Sequence, residues 1–451
     1  LTNQHPTTTA GAARDRAMGL LAIHAKRFPM LLPESLDETG LSRPDAALAH
    51  AIVDQTIRRW ITLAFLLETR LKKPLKNHDP TIQAALLAGA SQLFFFDRLP
   101  AYAVLNETVE WIKARRGPKS GGLVNAVLRR LLDLIQVKDD APVRTEQWSM
   151  ARDELPLGSG GAIALRHEIL PEDPLDRLAI ATGMPRSLLF SLRVDHDAKA
   201  VEKFALHGLV KPPTILNTAG ARDPAPTEHL TPHDLPGLHV FTGASSDLTT
   251  LLDARPDIWA QDPTSAAAVQ IAAGLSPKLV VDVCAGQGAK TRQLRAMFPD
   301  ARMVATDLAD DRRNTLERIF ENDDSVTVTT LDGLLEHTGQ ADLVLLDVPC
   351  SNTGVLGRRV EARCRWSGKS IGSLVDVQRQ IIADSIRLLA PDGAILYATC
   401  SVDRRENEEQ IAWTEKWHHL TRQKCEHRWP RGGPGAAPQE SNDGGFAGLL
   451  R

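Results

Sequence analysis

From residue 279 onward, short runs of β-branched and aliphatic residues (279–283, 303–306, 326–329, 343–346 and 394–398) alternate with amphipathic stretches. Strands separated by helices pair in parallel, which predicts a sheet covered by helices on both faces. Ligands of such a sheet bind beyond the carboxyl ends of its strands, so the residues just after each run are the candidates for chemistry. The rest of the chain is patterned differently. From 9 to 135 apolar residues recur at threes and fours between breakers at Pro74, Pro100 and Gly117-Pro118, which predicts an all-helical bundle. From 139 to 260 short apolar runs lie among Pro and Gly, including Pro142, Gly158, Gly161, Pro212, Pro224 and Pro226, which predicts an intermediate α/β subdomain or linker. With 451 residues the chain exceeds what one core usually supports, and three domains are expected: 1–138, 139–260 and 261–451.

No run approaches the roughly 18 apolar residues of a membrane span, and the stretch holding His5, Arg14 and Arg16 has no apolar block of the signal-peptide kind. A cytoplasmic protein without a membrane partner, acting as a monomer, is expected. Five widely spaced cysteines with no Cys-x-x-Cys pair argue against a disulfide framework and against a zinc site, so no metal is expected. The net charge of -3 does not advertise a nucleic-acid partner, but its distribution does. Thirteen Lys/Arg stand against five Asp/Glu between Arg58 and Arg130, and five against one between Arg358 and Lys369. Arg115, Arg116, Lys119 and Arg129 in the first cluster, and Arg358, Arg359, Arg363 and Arg365 in the second, are the candidate RNA contacts. Solvated helix faces are the ordinary alternative for each cluster.

The first run ends in Asp282-Val283-Cys284-Ala285-Gly286-Gln287-Gly288-Ala289-Lys290-Thr291 and then turns helical. Small residues there let backbone approach a ligand, and the following helix points N–H groups at it. Nineteen residues past Gly288 the second run ends at Asp307, where an acid can accept from both ribose hydroxyls, and Asp332 follows the third run. A dinucleotide turn would carry a third glycine in register, and this one does not. The pattern favours S-adenosylmethionine, with a nucleotide cofactor or a plain structural turn as the alternatives.

The fourth run ends Asp347-Val348-Pro349-Cys350-Ser351-Asn352-Thr353-Gly354 and the fifth Tyr397-Ala398-Thr399-Cys400-Ser401. Both cysteines follow strands on the ligand edge of one sheet. Carbon 5 of cytosine is a poor nucleophile until a thiolate adds at carbon 6, and the adduct must later lose a proton and the thiol. Two thiols at strand ends suit both halves of that chemistry. A lone cysteine there would more often be a small hydrophobe, the reading kept for Cys284, Cys364 and Cys425, with lining of the cofactor turn as the alternative for Cys284.

Asp347-Val348-Pro349-Cys350-Ser351 with Thr399-Cys400-Ser401 resembles the paired signature of the Sun/Fmu (RsmB-type) RNA cytosine-5 methyltransferases of the NOL1/NOP2/Sun family. The resemblance extends to Gln261-Asp262-Pro263-Thr264-Ser265, to the stretch from Cys284 to Thr291, and to Asp443-Gly444-Gly445-Phe446. Pro100-Ala101-Tyr102-Ala103, Glu107-Thr108-Val109 and the stretch from Gly121 to Arg129 are similar to the antitermination factor NusB. The resemblance implies a NusB-like helical domain followed by a class I, Rossmann-like α/β methyltransferase using S-adenosyl-L-methionine on 16S ribosomal RNA. It implies that Cys400 is the nucleophile and that Cys350 promotes product release, whereas a DNA cytosine-5 methyltransferase would use Cys350. A non-catalytic RNA-binding adaptor is the third reading.

The cofactor contacts carried over are Cys284, Ala285, Gly286, Gln287, Gly288, Ala289, Lys290, Asp307, Asp332 and Asp347. Asp347 is expected between cofactor and base, holding the cytosine amino group or sharing a proton with ring nitrogen 3, with Lys290 setting its ionisation. The chain departs from the family pattern at Gln287 and Ala289, which stand in place of proline and glycine. If position 289 needs a positive φ, alanine there costs about 1 kcal/mol. It departs again at Val360-Glu361-Ala362-Arg363-Cys364, where the family has Pro-Asp-x-x-Trp, and at Met184-Pro185-Arg186-Ser187-Leu188-Leu189, which lacks the usual aromatic.

Overall fold

The computed structural model describes residues 9–139, 141–223 and 228–451, so His5, Pro224 and Pro226 lie outside the described residues. The chain forms two compact units. One comprises residues up to 211 together with 359–366 and 433–435, and the other comprises 212–358, 367–432 and 436–451. The stretch read as one intermediate subdomain is therefore shared between the two units.

The first unit is built on helices α1 (Thr9–Arg27), α2 (Arg43–Arg58), α3 (Trp60–Glu68), α4 (Pro80–Phe95) and α5 (Ala101–Leu132). Asp79 caps α4 by accepting from the Thr81 N–H, with Pro80 in the first turn where its missing donor costs nothing. The break expected at Gly117-Pro118 falls within α5, where Gly117 takes φ 79° and the helix axis changes. A three-stranded antiparallel sheet (Arg144–Thr145, Glu154–Pro156, Ala162–Ala164) and helices α6 (Pro174–Thr182), α7 (Arg186–Asp195) and α8 (Ala198–His207) complete the unit. The short helix Ala362–Arg365 belongs here too, and Val360 and Cys364 join the same apolar core as Leu63, Leu87 and Leu128.

The second unit opens with a four-stranded antiparallel sheet (Leu230–Pro232, Leu238–Phe241, Ile215–Asn217, Trp259–Ala260) and α9 (Ser245–Ala254). Its main body is a seven-stranded sheet of β1 (Leu279–Asp282), β2 (Arg302–Ala305), β3 (Val326–Val328), β4 (Ala341–Asp347), β5 (Leu389–Thr399), β6 (Arg422–Arg428) and β7 (Gly445–Leu450), in the order β3-β2-β1-β4-β5-β7-β6. The first five strands are parallel, as their patterning predicts. β6 and β7 are antiparallel additions at one edge, so the sheet is mixed. Helices α10 (Pro263–Gln270), α11 (Ala289–Met297), α12 (Asp310–Phe320), α13 (Gly368–Ile386) and α14 (Glu408–His418) flank it. Two separate apolar clusters lie on its faces, one with Leu294, Leu343 and Leu396 and the other with Val344, Tyr397 and Ile382. The central strands are buried on both faces and for that reason read as unbroken apolar runs. Among the described residues no helix is long and apolar enough to cross a membrane.

Candidate active site

β4 and β5 run side by side in register, Asp347 opposite Ala398, so the loops that follow them leave the sheet together. Cys350 and Cys400, fifty positions apart in sequence, are brought to an Sγ–Sγ distance of 3.2 Å. Their environments differ. Cys350 is buried, while Cys400 is half-buried and lines a cavity with Lys290, Thr264, Asp443 and Phe446. The hydrogen bond with Cys400, burial, and the neighbouring Cys400 charge push the Cys350 thiol well above its ordinary range. The Cys400 thiol also donates to Asn352 Oδ1 at 3.2 Å, and Asn352 is held in the left-handed region at φ 59°, where asparagine is among the few side chains tolerated.

The two loops are tied by a residue that sequence reasoning missed. Glu406, fully buried, accepts from the Ser351 N–H at 2.9 Å, the Ser351 hydroxyl, the Ser401 hydroxyl at 2.6 Å and the Gln378 amide at 3.1 Å. Tyr397 in turn donates its hydroxyl to the Glu406 carbonyl at 2.6 Å. Burial raises the Glu406 carboxyl, and the donors from Ser351 and Ser401 oppose that rise. A run such as Arg404-Arg405-Glu406-Asn407 looks solvated in sequence; the only signal was the Ser that follows each cysteine.

Lys290, in the first turn of α11, donates to Asp347 Oδ2 at 2.7 Å. Burial alone would pull the ammonium down, but Asp347, with Cys400 close by, holds it above its ordinary value. The turn before α11 answers the question raised by Ala289. The positive-φ positions are Gly286 (57°) and Gly288 (80°), and Ala289 is already helical, so alanine there carries no backbone strain. A Cβ on Gly288 would also meet Leu316 at 3.0 Å. Asp307 organises this turn: Oδ2 accepts from the Gly286 N–H at 3.0 Å, and Oδ1 accepts from the Ala309 N–H at 3.0 Å. Asp282 is buried, accepts from the Thr291 hydroxyl at 2.7 Å, and is pushed up to about 7 by desolvation, with Asp347 adding to the rise. Its Oδ1 has no partner among the described residues. Cys284 is half-buried within the turn, and its thiol is pushed up by burial and by the surrounding acids. Asp332 is exposed at the start of a 3-10 turn after β3.

These residues fit an adenosyl-sulfonium ligand. Beside Gly286 a Cβ would meet nothing within 4 Å, so the turn faces open space. The acids Asp282, Asp307, Asp332 and Asp347 around strand ends suit hydroxyl donors and positive charge, and oppose a pyrophosphate. The segments around Asp262 and Asp443 close the far side of the cavity. Asp262 caps α10 through the Thr264 N–H at 2.8 Å and accepts from the Asp443 N–H at 3.1 Å, and Arg358 donates to Asp443 at 2.6 Å and Asp262 at 3.3 Å. Gly354 must be glycine, since a Cβ would lie 2.3 Å from the Gly444 carbonyl oxygen.

The expected RNA contacts fare unequally. Arg363 is fully buried, donating to the Arg58 and Gly208 carbonyls at 2.8 Å each, which removes it from any phosphate-facing surface. Arg365 is half-buried and donates to the Leu31 carbonyl, and Arg358 is engaged by the two acids just named. Arg359 remains exposed. In the first cluster Arg58 and Arg59 are buried, so part of the positive charge counted there is internal. Arg115, Arg116, Lys119 and Arg129 are exposed, with Arg115 paired to Asp15 and Arg116 to Asp79.

Fold and site together define a Rossmann-like methyltransferase with two thiols at its strand ends and a helical unit ahead of it. The model of the 16S rRNA methyltransferase RsmB/F family matches residues 273–432, and that of the NusB family matches residues 12–133. The ribosomal RNA small subunit methyltransferase B of Xanthomonas campestris pv. campestris is 30% identical over 393 residues, covering 82% of this chain and 80% of that protein. The protein of the same name from Vibrio cholerae serotype O1 is 28% identical over 377 residues, covering 81% and 80%. The crystal structure of PH0851 has the same fold, with a TM-score of 0.70 over 98% of each chain at 18% identity. The chain belongs to the RsmB/F family of methyltransferases, with a NusB-like domain at its N-terminal side, and its methyl donor is S-adenosyl-L-methionine.

Proposed function

We propose that the protein methylates carbon 5 of a cytosine in 16S ribosomal RNA, in the cytoplasm and as a monomer, through a covalent bond between Cys400 and the base. The observation that carries this reading is the asymmetry of the thiol pair: Cys400 lines the cavity beside Lys290, and Cys350 lies 3.2 Å away without lining it. S-adenosylmethionine, held by the turn from Cys284 to Lys290 with Asp307, Asp332 and Asp347, supplies an electrophilic methyl group. Cys400 Sγ bonds to carbon 6, its proton passes by way of Asp347 to ring nitrogen 3, and the pair of the 5,6 double bond makes carbon 5 nucleophilic. Lys290 holds Asp347 in place for that transfer. After methylation a water molecule takes the proton of carbon 5, the electron pair of that C–H bond re-forms the 5,6 double bond as the Sγ–C6 bond breaks, and the proton on nitrogen 3 returns to the thiolate by way of Asp347. Cys350, kept as a neutral thiol, donates a hydrogen bond to the departing sulfur. Exposed Arg115, Arg116, Lys119, Arg129 and Arg359 supply phosphate contacts.

Incubation with tritiated cofactor and either ribosomal RNA or DNA is expected to label RNA as 5-methylcytosine. Cys400→Ala abolishes label and adduct together, whereas Cys350→Ala accumulates a cofactor-dependent RNA complex that survives denaturing electrophoresis. Label in DNA, or a trapped complex with Cys400→Ala instead, overturns the assignment.

A further inference from the structure

The catalytic unit holds a second cavity, larger than the one at the thiols. About 350 Å³ in volume, it lies between α10, the segment around Pro236 and edge strand β6. That size is at the low end of small-ligand sites, which run from about 300 to 1,000 Å³. Leu235, Pro236, Pro263 and Ile271 give it flat apolar walls. Its polar groups divide in two. Asn217 and Gln293 are consumed by an internal relay, each bonded to Gln261 (2.8 and 2.7 Å), and Gln293 also donates to the Ala266 carbonyl at 2.9 Å. The Gln270 amide and the Lys424 ammonium, both exposed, make no hydrogen bond or ion pair among the described residues. Glu426 is paired with Arg428, so the charge left on the rim is the positive charge of Lys424.

The cavity neighbours the reactive site. Glu426 and Arg428 also line a small cleft with Thr264, Ala268 and Phe446, and those three residues line the cavity that holds Cys400. The β6 end at Arg428 pairs with Gly445 at the start of β7, and Phe446 pairs with Thr399 just before Cys400, so strand register sets the two cavities side by side.

We infer that this cavity holds a second nucleotide of the RNA strand whose cytosine enters the Cys400 cavity. Its base lies between the apolar walls with the Gln270 amide at its edge, and its phosphate meets Lys424. Single-stranded RNA is read in this way, by stacking splayed bases and hydrogen-bonding their edges. The assignment rests on the RNA reading proposed above and extends it to sequence context.

The test is steady-state methylation of ribosomal RNA by the full-length enzyme with Lys424→Ala, Gln270→Ala and Ala267→Phe, the last of which fills the cavity. Each is expected to raise KM for RNA about fivefold, and Lys424→Ala to lower the salt slope of RNA binding by about 0.7, the loss of one single-strand phosphate contact. Cofactor affinity and kcat should stay within about twofold. Lys424 and Gln270 are exposed, so their variants report even if Ala267→Phe does not fold. Cross-linking of 4-thiouridine-substituted RNA should mark peptides spanning 263–271 or 424–428. Wild-type enzyme that labels RNA while the Lys424 and Gln270 variants keep its KM overturns the cavity assignment alone. Variants that differ only on subunit particles, not on naked RNA, place a protein segment there and overturn it as well. A wild-type enzyme that neither binds nor labels ribosomal RNA overturns the functional reading and this inference with it.

Discussion

Glu406 is where the proposed positioning of the thiols can be broken without touching a thiol. Its carboxylate satisfies four donors from three elements, two of them in the loop after β4 and one in the loop after β5. Glu406→Ala leaves those donors around an empty, buried space. At roughly 1 kcal/mol net for each bond, the variant should lose about 3 to 5 kcal/mol of stability. Glu406→Gln should lose only about 1 to 2, because one oxygen still accepts and the Ser351 and Ser401 hydroxyls can turn to accept from the new amide. Denaturant midpoints should therefore fall in the order wild type, Gln, Ala. At temperatures where all three are folded, the single-turnover methylation rate of the alanine variant should fall by about 100-fold, the cost of a displacement near 1 Å between reacting groups. Cofactor affinity by calorimetry should stay unchanged, since none of the four donors belongs to the glycine turn. Equal midpoints for Gln and Ala variants, or full activity in a folded Glu406→Ala, would refute the idea that this carboxylate sets the thiol geometry.

Asp307→Ala frees the Gly286 and Ala309 N–H groups, and should weaken S-adenosylmethionine binding by about 1 to 3 kcal/mol on calorimetry; unchanged affinity removes Asp307 from the site. Asp282 has its folded pKa raised to about 7 from 3.8, so the stability it contributes is fully present below pH 4 and is lost as pH rises through 7. Relative to Asp282→Asn, the wild type should lose up to about 4 kcal/mol across that window and nothing further above it, and a parallel pair of stability curves would contradict the shift. Arg363→Ala should destabilise the helical unit by about 2 to 4 kcal/mol and leave the salt slope of RNA binding alone, while Arg359→Ala should do the reverse. A changed slope with Arg363→Ala would mean that burial has been misjudged.

The parallel strands were legible because burial on both faces leaves a chemical mark: β1 and β4 are runs of Val and Leu that no loop would carry. β6, Arg-Gln-Lys-Cys-Glu-His-Arg, carries no such mark, because an edge strand meets solvent and is guarded by charge. The glycine turn and both cysteines could be placed from the sequence because their positions follow from strand ends. Glu406 could not, because its role is set by hydrogen bonds made across fifty-five residues of chain to Ser351. Charge counting misled for the same reason. Arg58, Arg59 and Arg363 count as basic surface in a sequence, yet Arg59 and Arg363 donate to backbone carbonyls inside the helical unit, and Arg58 divides its donors between Asp54 and the Gly208 and Val210 carbonyls. Composition records charge, not where it points. The compact helical unit runs past 138, although the NusB family match ends at 133, since Leu155 and Ile163 are apolar residues of the helical core despite lying in a Pro- and Gly-rich stretch.

The thiol pair shows how a fold can make two like groups unlike. Parallel register brings the ends of β4 and β5 level, which alone would present two equivalent cysteines to a substrate. Equivalence is broken by what lies beside each sulfur. The Pro349 carbonyl accepts from the Gln378 amide at 3.0 Å, and the Cys350 carbonyl accepts from the Asn352 amide at 3.0 Å, so the backbone around Cys350 is held from both sides. Cys400 instead lines the cavity that Lys290 also lines, and its sulfur donates to Asn352 Oδ1 at 3.2 Å. The neighbouring sulfur and burial hold the first thiol neutral, and access to the cavity leaves the second where a substrate can meet it. On the proposed mechanism a hydrogen-bond donor and a nucleophile are thereby made from one residue type, 3.2 Å apart, and exchanging their roles would require exchanging burial for access to the cavity.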